Sequence, residues 1–286
     1  MTGRLISMAA ATVLDVAPPA AVDIAAQAGF GGVGIWFDTD TWTAAMARTV
    51  AARLADSGVV ALDIEPVIFG RGPDHGEAII DAAAAIGARH VLVASGPAER
   101  SEVVERFAAL CVRASGTGIT LVLEFLPIFS INSLGAALSV VAEAGYANGA
   151  VLVDSLHLAR SGGTPADLIG IAPHLLPYLQ IADATAEPAD PSLAGLREEA
   201  LNGRLLPGYG DLPLAAIVAA VPGVPLSVEM RSRQLMLDYP DPLQRAIAVL
   251  DATKSLSPAR TGSRPSQPIA ASRTFWYSRS TLSAGS

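Results

Sequence analysis

Short apolar runs alternate with alanine- and leucine-rich stretches along most of the chain. The apolar runs predict eight strands, near 4–10, 32–37, 59–67, 90–96, 119–126, 150–156, 178–183 and 225–230. The stretches between them predict helices near 18–28, 42–56, 75–87, 100–114, 133–144, 164–172, 212–220 and 241–253. Eight strand-then-helix units predict an α/β protein with the (β/α)₈ TIM-barrel architecture. A doubly wound open sheet is the competing architecture, but such sheets usually contain fewer strands.

The alternating pattern ends near residue 254. We therefore expect a single barrel domain over 1–254 and a disordered tail over 255–286, which is rich in Ser, Arg, Pro and Thr. The longest irregular segment, 184–211, follows the seventh predicted strand. Loops that follow barrel strands lie on the catalytic rim, so this segment is expected to be functional.

Composition narrows the class of protein. Hydrophobic residues make up 51% of the chain, yet no uninterrupted apolar run is long enough to span a membrane. Leu5 to Leu14 resembles part of a signal peptide, but Asp15 interrupts it, and we expect the first strand there. The single cysteine, Cys111, excludes an internal disulfide and favours the cytoplasm. The net charge of −8 argues against nucleic-acid binding.

Four polar side chains interrupt or end apolar runs in the last four predicted strands. They are Glu124, Asp154, Gln180 and Glu229. A buried, unpaired carboxylate costs several kcal/mol or takes up a proton, so four such positions indicate a shared partner. In a barrel these strand ends converge, and three carboxylates with one amide oxygen favour Mg²⁺ or Mn²⁺, with Co²⁺ also suitable and Zn²⁺ less so. The alternative is that arginine side chains pair with some of these acids.

Three further residues are expected near the mouth of the barrel. His157 lies three residues after Asp154, past the strand end, where it could contact a substrate. Glu65 ends the third predicted strand and Arg231 follows Glu229, so both are candidates for substrate binding. For Glu65 and Arg231, a structural ion pair is an equally good interpretation.

Several short motifs occur in a characteristic order. They are Ala28-Gly29-Phe30-Gly31-Gly32-Val33, Leu123-Glu124-Phe125-Leu126-Pro127, Asp154-Ser155-Leu156-His157-Leu158-Ala159-Arg160-Ser161-Gly162-Gly163, Gln180-Ile181-Ala182-Asp183, Gly203-Arg204-Leu205-Leu206-Pro207-Gly208-Tyr209-Gly210-Asp211 and Ser227-Val228-Glu229. Together they resemble the xylose isomerase-like TIM-barrel superfamily of sugar phosphate isomerases and epimerases. That superfamily also includes 3-dehydroshikimate dehydratases and nucleases of the endonuclease IV type. The resemblance covers residues 4–252.

This resemblance implies a metal set at the same four polar positions, which are typically Glu, Asp, His and Glu in the family. Gln180 departs from the epimerase pattern and is closer to the dehydratase-like branch, where Gln can fill that place. The family's substrate-contacting histidine matches His157. The arginine that epimerases carry six residues beyond the third ligand falls on Ala186 here, so Arg204 is the expected replacement that grips a substrate carboxylate or phosphate.

We therefore expect a divalent-metal-dependent isomerase or epimerase that acts on a polyhydroxy ketone or keto acid through a metal-stabilised enediolate. Glu124 and Glu229, on opposite walls, would remove and return the proton. The alternative is a 3-dehydroshikimate dehydratase-like lyase, with His157 as acid or base. The substrate would be a small molecule: a sugar, a sugar phosphate or a cyclic keto acid. A homo-oligomer is left open by the sequence.

Two other classes fit less well. An endonuclease of this superfamily would need a basic surface and many more histidines than the four present. A non-catalytic sugar-binding barrel is the remaining alternative, since a fold does not fix a function. The four costly buried polar positions argue against that inert barrel.

Overall fold

The chain forms a closed barrel of eight parallel strands. The computed structural model describes residues 3–71 and 75–256, so the predicted tail beyond Leu256 lies outside the described residues. The strands are β1 (Ile6–Met8), β2 (Gly32–Trp36), β3 (Val60–Ile68), β4 (His90–Ala94), β5 (Thr120–Glu124), β6 (Gly149–Asp154), β7 (Leu179–Ile181) and β8 (Leu226–Val228). Each pairs with its neighbour in sequence, and β8 pairs with β1. The predicted TIM barrel is confirmed.

Helices surround the barrel. They are α1 (Pro18–Ala28), α2 (Ala44–Ser57), α3 (Gly76–Ile86), α4 (Arg100–Arg113), α5 (Leu134–Ala144), α6 (Ser155–Arg160), α7 (Leu193–Asn202), α8 (Leu214–Ala220), α9 (Arg233–Asp238) and α10 (Pro242–Lys254). Short 3₁₀ helices occupy Ala10–Val13, Pro165–Leu168 and Pro173–Leu175. Within the described ranges, no helix combines the length and apolar character needed to cross a membrane.

Two sequence predictions about helices were wrong. The helix expected over 164–172 is only the 3₁₀ turn Pro165–Leu168, because Gly170 adopts a left-handed conformation (φ 86°) soon after it. The segment 184–211, expected to be irregular, contains α7. Ser192 caps the start of α7 by accepting a hydrogen bond from the backbone N–H of Gly195 at 3.1 Å.

Helix ends follow the polar and glycine signals of the sequence. Thr43 and Ser133 accept hydrogen bonds from the third residue of α2 and α5, respectively. Gly29 and Gly145 end α1 and α5 with φ values of 91° and 76°, in the left-handed region. A side chain is disfavoured in that conformation, so glycine allows the tight return to the next strand.

Two clusters make up most of the apolar core. The larger cluster lies between the strands and the helices, and the smaller cluster consists of Leu62, Leu92, Val122, Ala150, Leu152 and Tyr178. Side chains two residues apart on a strand share a face. Glu124, Asp154 and Gln180 each follow a member of the smaller cluster by two residues. They therefore lie on the same face, one step nearer the carboxyl ends of the strands.

Candidate active site

Strand register brings the predicted polar residues to one end of the barrel. Asp154, the last residue of β6, pairs in register with Gln180 of β7, and Gln180 pairs with Ser227 of β8. Glu124 ends β5. Glu229 directly follows β8, where its N–H donates to the carbonyl oxygen of Ile181 at 3.1 Å. All four polar residues thus lie at the catalytic end of a TIM barrel.

Asp154 is completely buried and fully hydrogen-bonded. Its Oδ1 accepts hydrogen bonds from the backbone N–H groups of Leu156 at 2.7 Å and His157 at 3.0 Å. These two bonds cap the start of α6. Its Oδ2 accepts from Nη1 of Arg204 at 2.6 Å. Burial alone would raise the pKa of Asp154, but the Arg204 guanidinium and these donors together lower it. Asp154 is therefore a stable carboxylate.

Arg204 connects two of the acids. Besides its bond to Asp154, its Nη2 lies 3.2 Å from Oε2 of Glu229, and its Nε donates to the carbonyl oxygen of Ala200 at 3.1 Å. Burial tends to lower the pKa of Arg204, but Asp154 and Glu229 raise it on balance. Burial raises the pKa of Glu229, and the guanidinium counteracts part of that rise. The side chain expected to grip a substrate is directed at the acid cluster.

Glu124, in the same cluster, faces His157. Nε2 of His157 lies 3.9 Å from Oε1 of Glu124, and both side chains are buried. Burial, with the charges of Glu229 and Asp154, raises the pKa of Glu124 well above its usual range. Burial lowers the pKa of His157 to about 4, so its imidazole is neutral at physiological pH.

A cavity of about 380 Å³ opens above these residues. Glu65, Glu124, His157, Arg204, Glu229 and Arg231 line it, together with apolar side chains that include Trp36, Ile68, Leu126, Ile128 and Phe129. The structure thus brings the predicted catalytic and substrate-binding residues together around one cavity. Asp154 and Gln180 do not line it and lie within the barrel wall.

Glu65 and Gln180 are buried polar groups with unmet hydrogen bonds. Oε1 of Glu65 has no hydrogen-bond partner within 3–71 and 75–256, and neither does either amide atom of Gln180. Burial, with the charges of Asp63 and Glu229, raises the pKa of Glu65 well above its usual range. Such unmet groups are rare in native proteins and often mark functional sites.

Sequence reasoning missed a further buried acid, Asp63. Its Oδ2 accepts a hydrogen bond from the Tyr178 hydroxyl at 2.7 Å. Burial, opposed by that hydrogen bond, raises the pKa of Asp63 to about 6. The signal was available, because Asp63 interrupts the apolar run from Ala61 to Ile64 just as Glu124 interrupts its own strand. Arg197 and Arg71, which also line the cavity, carried no comparable signal.

The residues present suit a metal ion. One potential ligand atom from each of Glu124, Asp154 and His157 lies within 4.8 Å of the others. Gln180 supplies a buried amide oxygen without a partner in the described part of the chain. Oxygen and imidazole donors of this kind bind divalent cations, and the unmet amide is one that a cation would satisfy.

The chain belongs to the xylose isomerase-like TIM-barrel family, whose model matches residues 22–253. No curated protein sequence matches the chain significantly. This family assignment confirms the resemblance that the sequence motifs indicate.

Many solved structures share the fold, among them the following three. A fusion of a xylose isomerase-like TIM barrel with a 4-hydroxyphenylpyruvate dioxygenase is 23% identical with a TM-score of 0.74; the match covers 88% of this chain but only 42% of the fusion protein. The IOLI protein, solved with a zinc atom, is 16% identical (TM-score 0.75; 88% of this chain and 97% of that one). A probable 3-DHS dehydratase of Bacillus anthracis is 14% identical with a TM-score of 0.68; the match covers 87% of this chain and 98% of the dehydratase.

Proposed function

We propose that this protein is a divalent-metal-dependent carbon–oxygen lyase that removes water from a cyclic β-hydroxy keto acid. The carrying observation is the asymmetry of the acid cluster. Glu229 contacts the Arg204 guanidinium at 3.2 Å, whereas Glu124 faces the neutral imidazole of His157. A proton-transfer pair on one wall and a charge-paired acid on the other suits elimination better than transfer between two opposed carboxylates.

The metal would bind through Glu124, Asp154, Gln180 and Glu229, with His157 close by. When bound, a divalent cation would supply Lewis-acid stabilisation for negative charge that develops on a substrate oxygen. It would have to share Asp154 and Glu229 with Arg204, whose guanidinium contacts both carboxylates. Arg204 would supply a second positive charge beside the reacting oxygen.

The chain's own residues would move the proton. Nε2 of His157 would take the proton from the carbon beside the substrate carbonyl. Glu124, which a bound cation would keep ionised despite its raised pKa, would stabilise the imidazolium that forms. The bond from the neighbouring carbon to its hydroxyl would then break as His157 returns the proton to the departing oxygen. The products are a conjugated ketone and water, and His157 is neutral again. Asp154 fixes the helix that carries His157 by accepting the N–H groups at its start.

The cavity lining supports an anionic, partly apolar substrate. Trp36, Leu126 and Phe129 provide an apolar wall against which a ring can pack. Arg197 and Arg231 line the same cavity, and neither guanidinium has a hydrogen-bonded acid partner within 3–71 and 75–256. Arg231 interacts electrostatically with Glu65 and Glu229, and a substrate carboxylate would give both guanidinium groups a hydrogen-bonded partner. The similarity to a probable 3-DHS dehydratase agrees with this class of substrate.

The direct test is a product assay. The purified protein, supplied with Mn²⁺, Co²⁺, Mg²⁺ or Zn²⁺, would be incubated with 3-dehydroshikimate and related hydroxy keto acids. Dehydration creates a conjugated product with new ultraviolet absorption, which chelation of the metal should abolish. His157→Asn should abolish it too, whereas His174→Asn, an exposed histidine on a 3₁₀ helix, should not. Turnover that persists without metal would overturn the proposal.

A sugar isomerase or epimerase is the second candidate, and one observation favours it. Glu124 and Glu229 both line the cavity, as a two-carboxylate epimerase requires. In deuterium oxide, an epimerase would exchange a carbon-bound proton of a ketose and leave the ultraviolet spectrum unchanged. Deuterium exchange into a ketose without a change in ultraviolet absorbance would therefore favour the epimerase over the lyase as the function of this protein.

A further inference from the structure

Arg160 makes an unusual set of contacts with the segment that follows β7. It ends α6, three residues after His157. Its Nε and Nη2 donate to the two carboxylate oxygens of Glu199 at 2.8 and 2.7 Å. Its Nη1 and Nη2 also donate to the carbonyl oxygens of Ala186 at 3.0 Å and Thr185 at 2.8 Å. One guanidinium therefore joins α6, the start of the segment 184–211, and α7.

The Arg160–Glu199 pair is shielded from water. The side chains are 5% and 14% exposed, respectively. A bidentate arginine–carboxylate pair is geometrically specific, because two parallel N–H···O bonds fix both distance and angle. Removal of one partner from such a shielded pair leaves a charge without compensation, which is far costlier than the loss of an exposed ion pair.

The helix fixed by this pair forms part of the active site. Arg197, Ala200 and Leu201 of α7 line the cavity. Arg204 follows two residues after α7 ends, and its Nε donates to the carbonyl oxygen of Ala200 at 3.1 Å. The position of α7 therefore determines where the Arg204 guanidinium lies relative to Asp154. On the other side of the pair, α6 carries His157.

We propose that Arg160 is a positioning residue that fixes α7 against α6 and thereby sets where Arg204 and His157 lie at the acid cluster. This inference rests on the proposed function for its kinetic consequence, although its structural part stands alone. Displacement of a catalytic group by about 1 Å can cost on the order of 10²-fold in rate.

The same helix offers a matched control. Glu198, next to Glu199, contacts Arg233 of α9 at 3.1 Å, and these side chains are 59% and 67% exposed, respectively. Exposed pairs contribute little to stability. Arg233→Lys and Glu198→Gln therefore make the same side-chain replacements as Arg160→Lys and Glu199→Gln, in an exposed ion pair and without touching the shielded pair.

The kinetic experiment compares these variants in the dehydration assay. Arg160→Lys and Glu199→Gln should each lower kcat by on the order of 10²-fold, and both changes together should cost no more than either alone. The effect of Arg160→Lys should shrink strongly in an Arg204→Lys background, because Arg160 acts through Arg204. A purely structural role would give equal effects in both backgrounds and would overturn the inference. Circular dichroism would confirm that each variant is folded.

Hydrogen–deuterium exchange tests the same inference without turnover. Arg160→Lys and Glu199→Gln should each accelerate amide exchange in 193–205 by on the order of tenfold or more, whereas the two control variants should match the wild type. Unchanged exchange in the Arg160 and Glu199 variants, or equal acceleration in the controls, would overturn it. If the wild type shows no turnover of any hydroxy keto acid, the proposed function fails, and the exchange experiment still decides the role of Arg160.

Discussion

Nη1 of Arg204 lies 2.6 Å from Oδ2 of Asp154, and both side chains are essentially excluded from solvent. This contact places a fixed positive charge inside a cluster of acids at the end of the barrel. It also brings together residues to which the sequence assigned different roles, because the acids are expected to bind a cation and the arginine to bind a substrate. In the structure, Arg204 partly neutralises the same carboxylates that a metal would use.

Loss of this guanidinium should destabilise the metal-free protein. Arg204→Met leaves Asp154 as an uncompensated buried carboxylate, which costs on the order of 3 to 5 kcal/mol. Urea unfolding in the presence of a chelator measures the change. Arg233→Met, which removes an exposed ion pair, should cost about 1 kcal/mol or less. Mn²⁺ should restore much of the stability of the Arg204 variant, and equal stabilities of the two variants would contradict this account.

Asp63 should make the metal-free protein less stable as the pH rises. Its pKa in the folded state, about 6, lies above the ordinary 3.8. The stability contributed by its protonated form is therefore fully present below pH 3.8 and is lost as the pH rises through 6, by roughly 3 kcal/mol in total. The amide oxygen of Asp63→Asn can still accept the hydrogen bond from the Tyr178 hydroxyl, and this variant should lack the contribution of Asp63 to the pH dependence of stability.

Urea unfolding at about pH 5 and about pH 8 would measure the effect of Asp63. The wild type should lose more stability than Asp63→Asn between the two conditions. Asp56→Asn, an exposed change on α2, should follow the wild type. An equal loss of stability between the two pH values in the wild type and in Asp63→Asn would show that Asp63 does not cause the pH dependence.

His157 should be needed for turnover, and its imidazole should stay unprotonated, and so able to accept a proton, at lower pH than an ordinary histidine. His157→Asn should lower kcat by about 10²- to 10⁴-fold, the usual contribution of a general acid or base. Because its pKa is lowered to about 4, the acidic limb of the wild-type rate profile should fall well below the 6.5 of an ordinary histidine. Steady-state kinetics across the pH range checks both statements. Full activity of the variant would remove His157 from the mechanism.

Gln180 should contribute to metal binding and nothing to the stability of the metal-free protein. Its amide has no hydrogen-bond partner within 3–71 and 75–256, so Gln180→Leu removes an unmet polar group and should leave metal-free stability equal or higher. The affinity of the Gln180→Leu variant for Mn²⁺, measured by calorimetry, should be lower than that of the wild type by about tenfold or more. Strong destabilisation with a chelator present, or unchanged affinity, would contradict this.

The barrel and the acid positions were predictable because both depend on local patterns. The alternation of strand and helix predicts the fold, and Glu124, Asp154 and Glu229 are visible as charges at apolar strand ends. The same rule, applied to every strand, would also have identified Asp63. These residues lie on strands or, in the case of Glu229, directly after one, where register and the two-residue period fix their positions.

The contacts made by Arg204 and Arg160 could not be predicted in the same way. Both depend on the path of 184–211, whose helix α7 has a weakly segregated apolar face and a single fully buried residue, Ala200. A long side chain on such a segment can reach a substrate, an acid in the wall or a neighbouring helix. Only the three-dimensional position of α7 decides that Arg204 meets Asp154 and that Arg160 meets Glu199.

The metal content of the purified protein tests the central claim most directly. Mass spectrometry of the native protein, after reconstitution with Mn²⁺ or Co²⁺, should find about one ion per chain, as a single metal site at this cluster predicts. The double variant Glu124→Gln, Glu229→Gln should lose it, whereas Glu187→Gln, Glu198→Gln, two exposed changes, should retain it. No ion in the wild type after reconstitution, or equal content in both double variants, would contradict a metal centre at this site.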